Sequence, residues 1–250
     1  MKVVSRLLAA LMTAALIVPA TAGIVSAAVD INTMAVKPTS GPVGTEVYLE
    51  GYGDEDDNGY VYFEVSEDDE EWVLVLSNSS SNWTWDEELV DEDPDVYLYY
   101  FDTKKFEIPE CIGGEHRIVI VDSSLGNSTD YDDVTDNDVG PMRTFTVTPT
   151  ITLVSDEEGP AGTEVEVKGT GFGDGGKITI YFDGEEVELV STITANDLGT
   201  WTGKFVVPPA SQGDHDITAD GGYTDEDDVD AATFTVTPGI SVSPANGKVG

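Results

Sequence analysis

Asp54-Glu55-Asp56-Asp57-Asn58-Gly59 is the one stretch of this chain whose spacing fits a metal ion. Oxygen ligands fall at the first, third and fifth positions of an Asp-x-Asp-x-Asn-Gly loop, with glycine where a twelve-residue calcium loop turns sharply. The closing bidentate acid is missing, because the twelfth position is Val65 and Glu64 falls one residue short. The expected calcium ligands are therefore Asp54, Asp56, Asn58 and the carbonyl of Tyr60 or a neighbouring acid. The competing reading is an acidic hairpin turn, for which Asp and Asn have the right local geometry. The acidic runs at Asp130–Asp138 and Asp225–Asp230 are weaker candidates of the same kind. No other cofactor is expected.

Catalysis has little to stand on. The two histidines, His116 and His215, stand in Gly-Glu-His and Gly-Asp-His, one in each half of the chain, and suit the start of a strand better than a shared site. Acidic pairs are so frequent that two carboxylates at a glycosidase separation carry no information. No Ser-centred elbow, phosphate-binding Gly loop or zinc spacing is present, so no enzymatic role is expected. Cys111 has no partner for an intrachain disulfide and is expected to be a small buried side chain. Asn78, Asn82 and Asn127 each open an Asn-x-Ser/Thr sequon, three candidate glycosylation sites.

The elements that hold these residues come from repetition. Gly41-Pro42-Val43-Gly44-Thr45-Glu46-Val47 returns as Gly159-Pro160-Ala161-Gly162-Thr163-Glu164-Val165, and Gly247-Lys248-Val249-Gly250 opens a third copy. Thr144-Phe145-Thr146-Val147-Thr148-Pro149 returns as Thr233-Phe234-Thr235-Val236-Thr237-Pro238. Repetition at this scale implies an array of similar units. Pairing Trp83-Thr84 with Trp201-Thr202, and Phe106-Glu107-Ile108-Pro109 with Phe205-Val206-Val207-Pro208, places the main excess of the first copy between Trp83 and Phe106. A smaller excess falls between Asp122 and Thr144. The aromatic run Val96–Phe101 would then belong to an added hairpin or a contact surface.

The second copy reads as strands throughout. Thr163–Lys168 alternates apolar and charged residues with the period of a strand buried on one face. Lys177–Phe182, Glu186–Val190, Trp201–Val207, His215–Ala219 and Thr233–Thr237 are further β-rich runs, punctuated by Gly, Pro, Asp and Asn. About seven strands in about 90 residues predict an all-β fold of tandem Ig-like antiparallel sandwiches, the first with insertions. On these residues, with Lys168-Gly169-Thr170-Gly171-Phe172-Gly173 and Ile178–Gly184, the chain resembles the IPT/TIG-type immunoglobulin-like repeats of prokaryotic surface proteins. The resemblance implies a surface or interaction role and no particular ligand.

Lys2 and Arg6, the apolar run Leu7–Val18 and the small residues after it form a secretory signal peptide over residues 1–27, cleaved after Ala22 or Ala27. The expected order is then a sandwich over 28–149, a second over 150–238, and the start of a third repeat over 239–250. The apolar core is too short for a comfortable membrane span, so the mature chain is expected to be secreted or held at the cell surface without membrane insertion. With 49 acidic against 11 basic residues the formal charge is −38, which repels nucleic acid and anionic lipid. The expected function is a non-catalytic structural region of an exported surface protein: an S-layer, sheath or stalk whose partners are other subunits or glycans. An adhesin or carbohydrate-binding module is the first alternative, and accessory domains of a secreted hydrolase the second.

Overall fold

The computed structural model describes residues 33–53, 58–66, 71–88, 98–121 and 139–239. The expected signal peptide, Asp54, Asp56, Asn127, the run at 130–138 and the third repeat from residue 240 lie outside them. The first half contributes β1 (Thr33–Lys37), β2 (Ser40–Gly41), β3 (Glu46–Gly53), β4 (Tyr60–Ser66), β5 (Glu71–Leu76), β6 (Trp83–Glu88), β7 (Leu98–Thr103), β8 (Phe106–Glu107), β9 (Gly114–Val121) and β10 (Val139–Val147). The second contributes β11 (Thr150–Leu153), β12 (Glu158–Gly159), β13 (Glu164–Thr170), β14 (Lys177–Phe182), β15 (Glu185–Glu186), β16 (Ile193–Thr194), β17 (Trp201–Val206), β18 (Gly213–Asp220) and β19 (Ala232–Val236). Two single 3-10 turns, Ser80–Asn82 and Glu226–Asp228, are the only helical elements among the described residues.

In the first half the strand orders are β1-β3-β7-β6, with β8 also on β3, and β2-β10-β9-β4-β5. In the second they are β11-β13-β17 and β12-β19-β18-β14-β15, with β16 also on β14. Apart from short parallel pairs made by β2 and β12, the strands pair antiparallel. Period-two alternation places Val47, Leu49, Phe145 and Val147 in one buried cluster. Val165, Val167, Ile178, Ile180, Phe234 and Val236 lie in another. No described residue belongs to both.

The register corrects one sequence alignment. Gly169 stands opposite Trp201, and its counterpart Gly51 stands opposite Phe101, not Trp83. Val165 and Val47 likewise face Phe205 and Phe106. Val96–Phe101 therefore leads into a strand of the basic fold, and the added strand is β6, which carries Trp83 to the sheet edge beyond β7. Chain order misled because a tryptophan stands on the added strand and a phenylalanine in the position equivalent to Trp201. Glu186–Val190 is also not one strand. Val187 N–H donates to Ile180 and Val190 N–H donates to Lys204, so the segment leaves one sheet for the other.

Gly169 is required by the ring it faces, whereas Gly51 is required first by the Thr33 carbonyl, 2.0 Å from where its Cβ would stand. A Cβ on Gly169 would lie 2.2 Å from the Trp201 indole, which is itself buried and packed edge-on against Phe172. Gly169→Ala is expected to cost about 1–3 kcal/mol by overpacking, read as a lowered thermal midpoint. An unchanged midpoint would mean that the indole is free to move and that the pairing is incidental.

β4 breaks the alternation: every residue from Tyr60 to Val65 is buried. Val61, Phe63 and Val65 face the main core. Tyr60 and Tyr62 form a second apolar cluster with Val119 and Val121 on the opposite face, joined by Trp72, Leu74 and Met142. On that face Glu64 is only 2% exposed, and its carboxylate accepts hydrogen bonds from Arg117: the backbone N–H at 3.2 Å, Nε at 2.7 Å, and Nη2. The guanidinium carbon lies 5.2 Å from the Trp72 ring centroid.

Candidate functional site

Of the expected calcium ligands, Asn58 and Tyr60 are described, at the foot of β4. Asn58 Oδ1 accepts a hydrogen bond from Trp85 Nε1 at 3.1 Å, which ties this side chain to β6. Tyr60 is buried and pairs with Val121 of β9. Among the described residues no group of three or more His, Cys, Asp or Glu side chains is arranged to hold a metal.

Asn78 is half-buried, before the Ser80–Asn82 turn. Asn82 Nδ2 donates to both the carbonyl and the hydroxyl of Ser77 at 3.1 Å, so a glycan at this nitrogen would compete with an existing contact. Cys111 is fully buried, and desolvation pushes its thiol up to about 12, too high to supply thiolate near neutrality.

The histidines share one role in different sandwiches. His116 Nδ1 lies 2.8 Å from the Glu64 carbonyl and Nε2 2.9 Å from the Ile112 carbonyl. His215 Nδ1 lies 2.6 Å from Asp183 Oδ2 and Nε2 2.8 Å from the Ser211 carbonyl. Each ring stacks on the phenylalanine of the neighbouring strand, Phe63 or Phe182. Each thus fastens the connection before its own strand to the strand beside it, leaving no ring nitrogen for a substrate.

Two surface features escaped the sequence reading. On the outer face of the β1-β3-β7-β6 sheet, Tyr100 Oη lies 3.1 Å from Glu50 Oε2 and 2.9 Å from Asp102 Oδ1, and Lys37 pairs with Glu50. Burial and the two carboxylates hold the Tyr100 phenol far above its ordinary range. The second feature is a groove of about 510 Å³ between β1 and β10, lined by Lys37, Thr39, Ser40, Arg143, Thr144 and Thr146 over the apolar Met34 and Val36. The sequence held a signal for it. Residues 33–45 and 139–155 contain no acid, in a chain where 49 of 250 residues are acidic.

The halves meet without a spacer, β10 ending at Val147 and β11 beginning at Thr150. The Pro149 carbonyl accepts from Asp230 N–H at 3.1 Å, and the Asp230 carbonyl accepts from Ile151 N–H at 3.2 Å. Lys168 Nζ reaches Glu110 Oε1 at 3.1 Å across the junction. A Cβ on Gly113 would stand 2.3 Å from the Gly171 carbonyl oxygen. The exposed ion pair contributes little; the backbone contact and missing spacer limit reorientation.

The family model described as the IPT/TIG domain matches residues 149–236, so the resemblance drawn from Gly159–Thr163 and Lys168–Gly173 holds over that span. No curated protein matches the chain. Among solved structures, it is similar to SGBP-B of the Bacteroides ovatus mixed-linkage glucan utilization locus, in complex with a mixed-linkage heptasaccharide. There the identity is 17%, over 79% of this chain and 42% of that one, with a TM-score of 0.27. Invasin, a bacterial integrin-binding protein, gives 11% identity over 82% and 39%, with a TM-score of 0.27. InvD of Yersinia pseudotuberculosis gives 14% over 87% and 60%, also with a TM-score of 0.27. The chain spans less than two thirds of the length of each of these structures. No helix among the described residues is long and apolar enough to cross a membrane.

Proposed function

We propose that this chain is a non-catalytic structural region of an exported cell-surface protein, built from tandem Ig-like sandwiches that act as stiff, acidic spacers. The observation that carries this reading is the junction. Two sandwiches are joined over Thr148 and Pro149, with the Pro149 carbonyl bonded to the second sandwich and Gly113 pressed against Gly171. Such a joint transmits orientation from one unit to the next, as a stalk or layer requires and as a flexible tether does not. The charge of −38 suits a solvated surface that resists collapse and nonspecific association. In that setting the acidic loop at 54–59 would let calcium brace the first sandwich.

The test has two arms. Antibodies to the purified chain should label intact cells and lose their epitope on external protease treatment. Small-angle scattering of the full chain should give one extended species. Labelling only after lysis would overturn the surface assignment, and scattering that requires many domain orientations would overturn the stiff spacer.

A further inference from the structure

The groove between β1 and β10 is a seam at which, among the described residues, β1 is a sheet edge and β10 is one up to the point where β2 meets it. β1 ends the β1-β3-β7-β6 sheet, and β10 is covered on its outer side only where Ser40 and Gly41 of β2 meet Thr146 and Val147. Thr146 N–H donates to the Thr39 carbonyl and Thr148 N–H to the Gly41 carbonyl, both at 3.0 Å. Alternation along the strand turns the N–H groups of Thr144 and Met142 to the same side, where no described strand meets them. The seam has no full counterpart in the second half: β19 begins at Ala232, which aligns with Arg143 through the Thr-Phe-Thr-Val-Thr-Pro repeat. The stretch of β10 before Arg143 therefore has no equivalent there.

The seam is also the wrong charge for this molecule. None of its lining residues is acidic and two are basic. Lys37 is matched by Glu50. Arg143 is exposed, donates to its neighbour's carbonyl at Met142, and has no carboxylate within salt-bridge distance among the described residues. Hydroxyls of Thr39, Ser40, Thr144 and Thr146 complete the lining. Backbone donors that no described strand meets, beside a cation and over an apolar floor, are what an extended acidic strand needs at a sheet edge.

We propose that this seam is a self-association site, in which an extended acidic segment of a second copy of this chain pairs along Met142–Thr144 and sets a carboxylate on Arg143. Charge complementarity selects the occupant. A chain with 49 acids and 11 bases repels its own copies over most of its surface and is attracted at an acid-free, basic groove. A contact between one copy's groove and another copy's acidic segment is heterologous, so it closes into a ring or propagates as a filament according to the rotation between copies. The inference rests on the structural reading above and supplies its lateral contact. It is tested in solution, so its failure would leave surface display standing.

Sedimentation velocity of the full chain over a range of concentrations reads the association directly. The wild type should form oligomers at about 0.1 M sodium chloride, where repulsion between copies beyond about 10 Å is screened, and these should weaken at about 0.5 M, where contact ion pairs are screened as well. Arg143→Glu should raise the dissociation constant at least about tenfold, and Arg143→Gln should act in the same direction by less. Thr144→Pro removes the outward N–H without breaking the ladder to β9 and should abolish association. Lys204→Glu, a basic residue outside the seam, serves as the control and should change nothing. Circular dichroism establishes that each variant is folded. A wild type that stays monomeric at all soluble concentrations overturns the proposal. So does association indifferent to the Arg143 and Thr144 variants, or equally weakened by Lys204→Glu.

Discussion

Arg117→Leu is expected to destabilise the first sandwich by about 3–5 kcal/mol, the range for removing one partner of a buried ion pair. The reason lies with Glu64 rather than with the arginine. Arg117 keeps 40% of its side chain in solvent, whereas Glu64 keeps 2% and has its carboxylate held by Arg117. With the guanidinium gone, a carboxylate on β4 is left among Tyr60, Tyr62 and Val119 with one backbone N–H. The stacking of Arg117 on Trp72 adds a smaller loss, roughly 0.5–1 kcal/mol at a partly exposed site. Replacing both partners, Glu64→Leu with Arg117→Leu, should recover most of the stability, because two apolar groups satisfy this face better than one orphaned charge. Calorimetry of the three variants decides it. A single variant costing under about 1 kcal/mol, or a double variant as damaged as the single, would show that Glu64 finds water or another donor.

That pair also marks where the sequence could be read and where it could not. Strands that alternate, such as Glu164–Thr170 and Glu46–Gly53, announce which face is buried, because one face meets solvent. Tyr60–Ser66 does not alternate, and a strand covered on both faces has no period to detect. The glycine-threonine openings and the Thr-Phe-Thr-Val-Thr-Pro endings located both cores. Trp83 was misplaced because aromatic identity was used where register decides: Gly51 and Gly169 stand opposite Phe101 and Trp201 and so identify them as equivalents. The histidines were legible as structural residues at strand starts. Their partners, Glu64 on β4 and Asp183 in the turn after β14, are distant in the chain, and no local spacing encodes them. The groove at β1 and β10 was legible only as an absence of acid in two separated segments, which acquires meaning once the fold brings them together.

His215 should make the stability of the second sandwich depend on pH in a way that His215→Gln removes. Both ring nitrogens face acceptors, Asp183 and the Ser211 carbonyl, and a neutral imidazole has only one N–H to give. The bond to Asp183 foremost, then the Ser211 carbonyl, holds the imidazolium above its ordinary value. The same bond, with the Asp216 N–H, holds the Asp183 carboxyl below its own. A histidine raised on folding contributes fully below its unfolded value of about 6.5, and that contribution disappears as pH rises through the higher folded value. A carboxylate lowered on folding contributes fully above about 3.9 and loses its contribution as pH falls through the lower folded value. The pair is therefore at full strength between about pH 4 and 6.5. Acid also relieves repulsion among the many carboxylates, but it does so equally in wild type and variant, so the difference between them isolates the histidine. Glutamine can donate to Asp183 or to Ser211 but not replace a charged donor to both. The expected loss is about 2 kcal/mol near pH 5.5, at the lower end for a charge-assisted hydrogen bond because Asp183 is half exposed. That corresponds to a midpoint shift on the order of 10 °C for a domain of this size, shrinking as pH is raised toward 9. A gap between wild type and His215→Gln that stays constant from pH 5 to 9 would mean that the contribution of His215 does not depend on its charge, and the charged pair with Asp183 would be overturned.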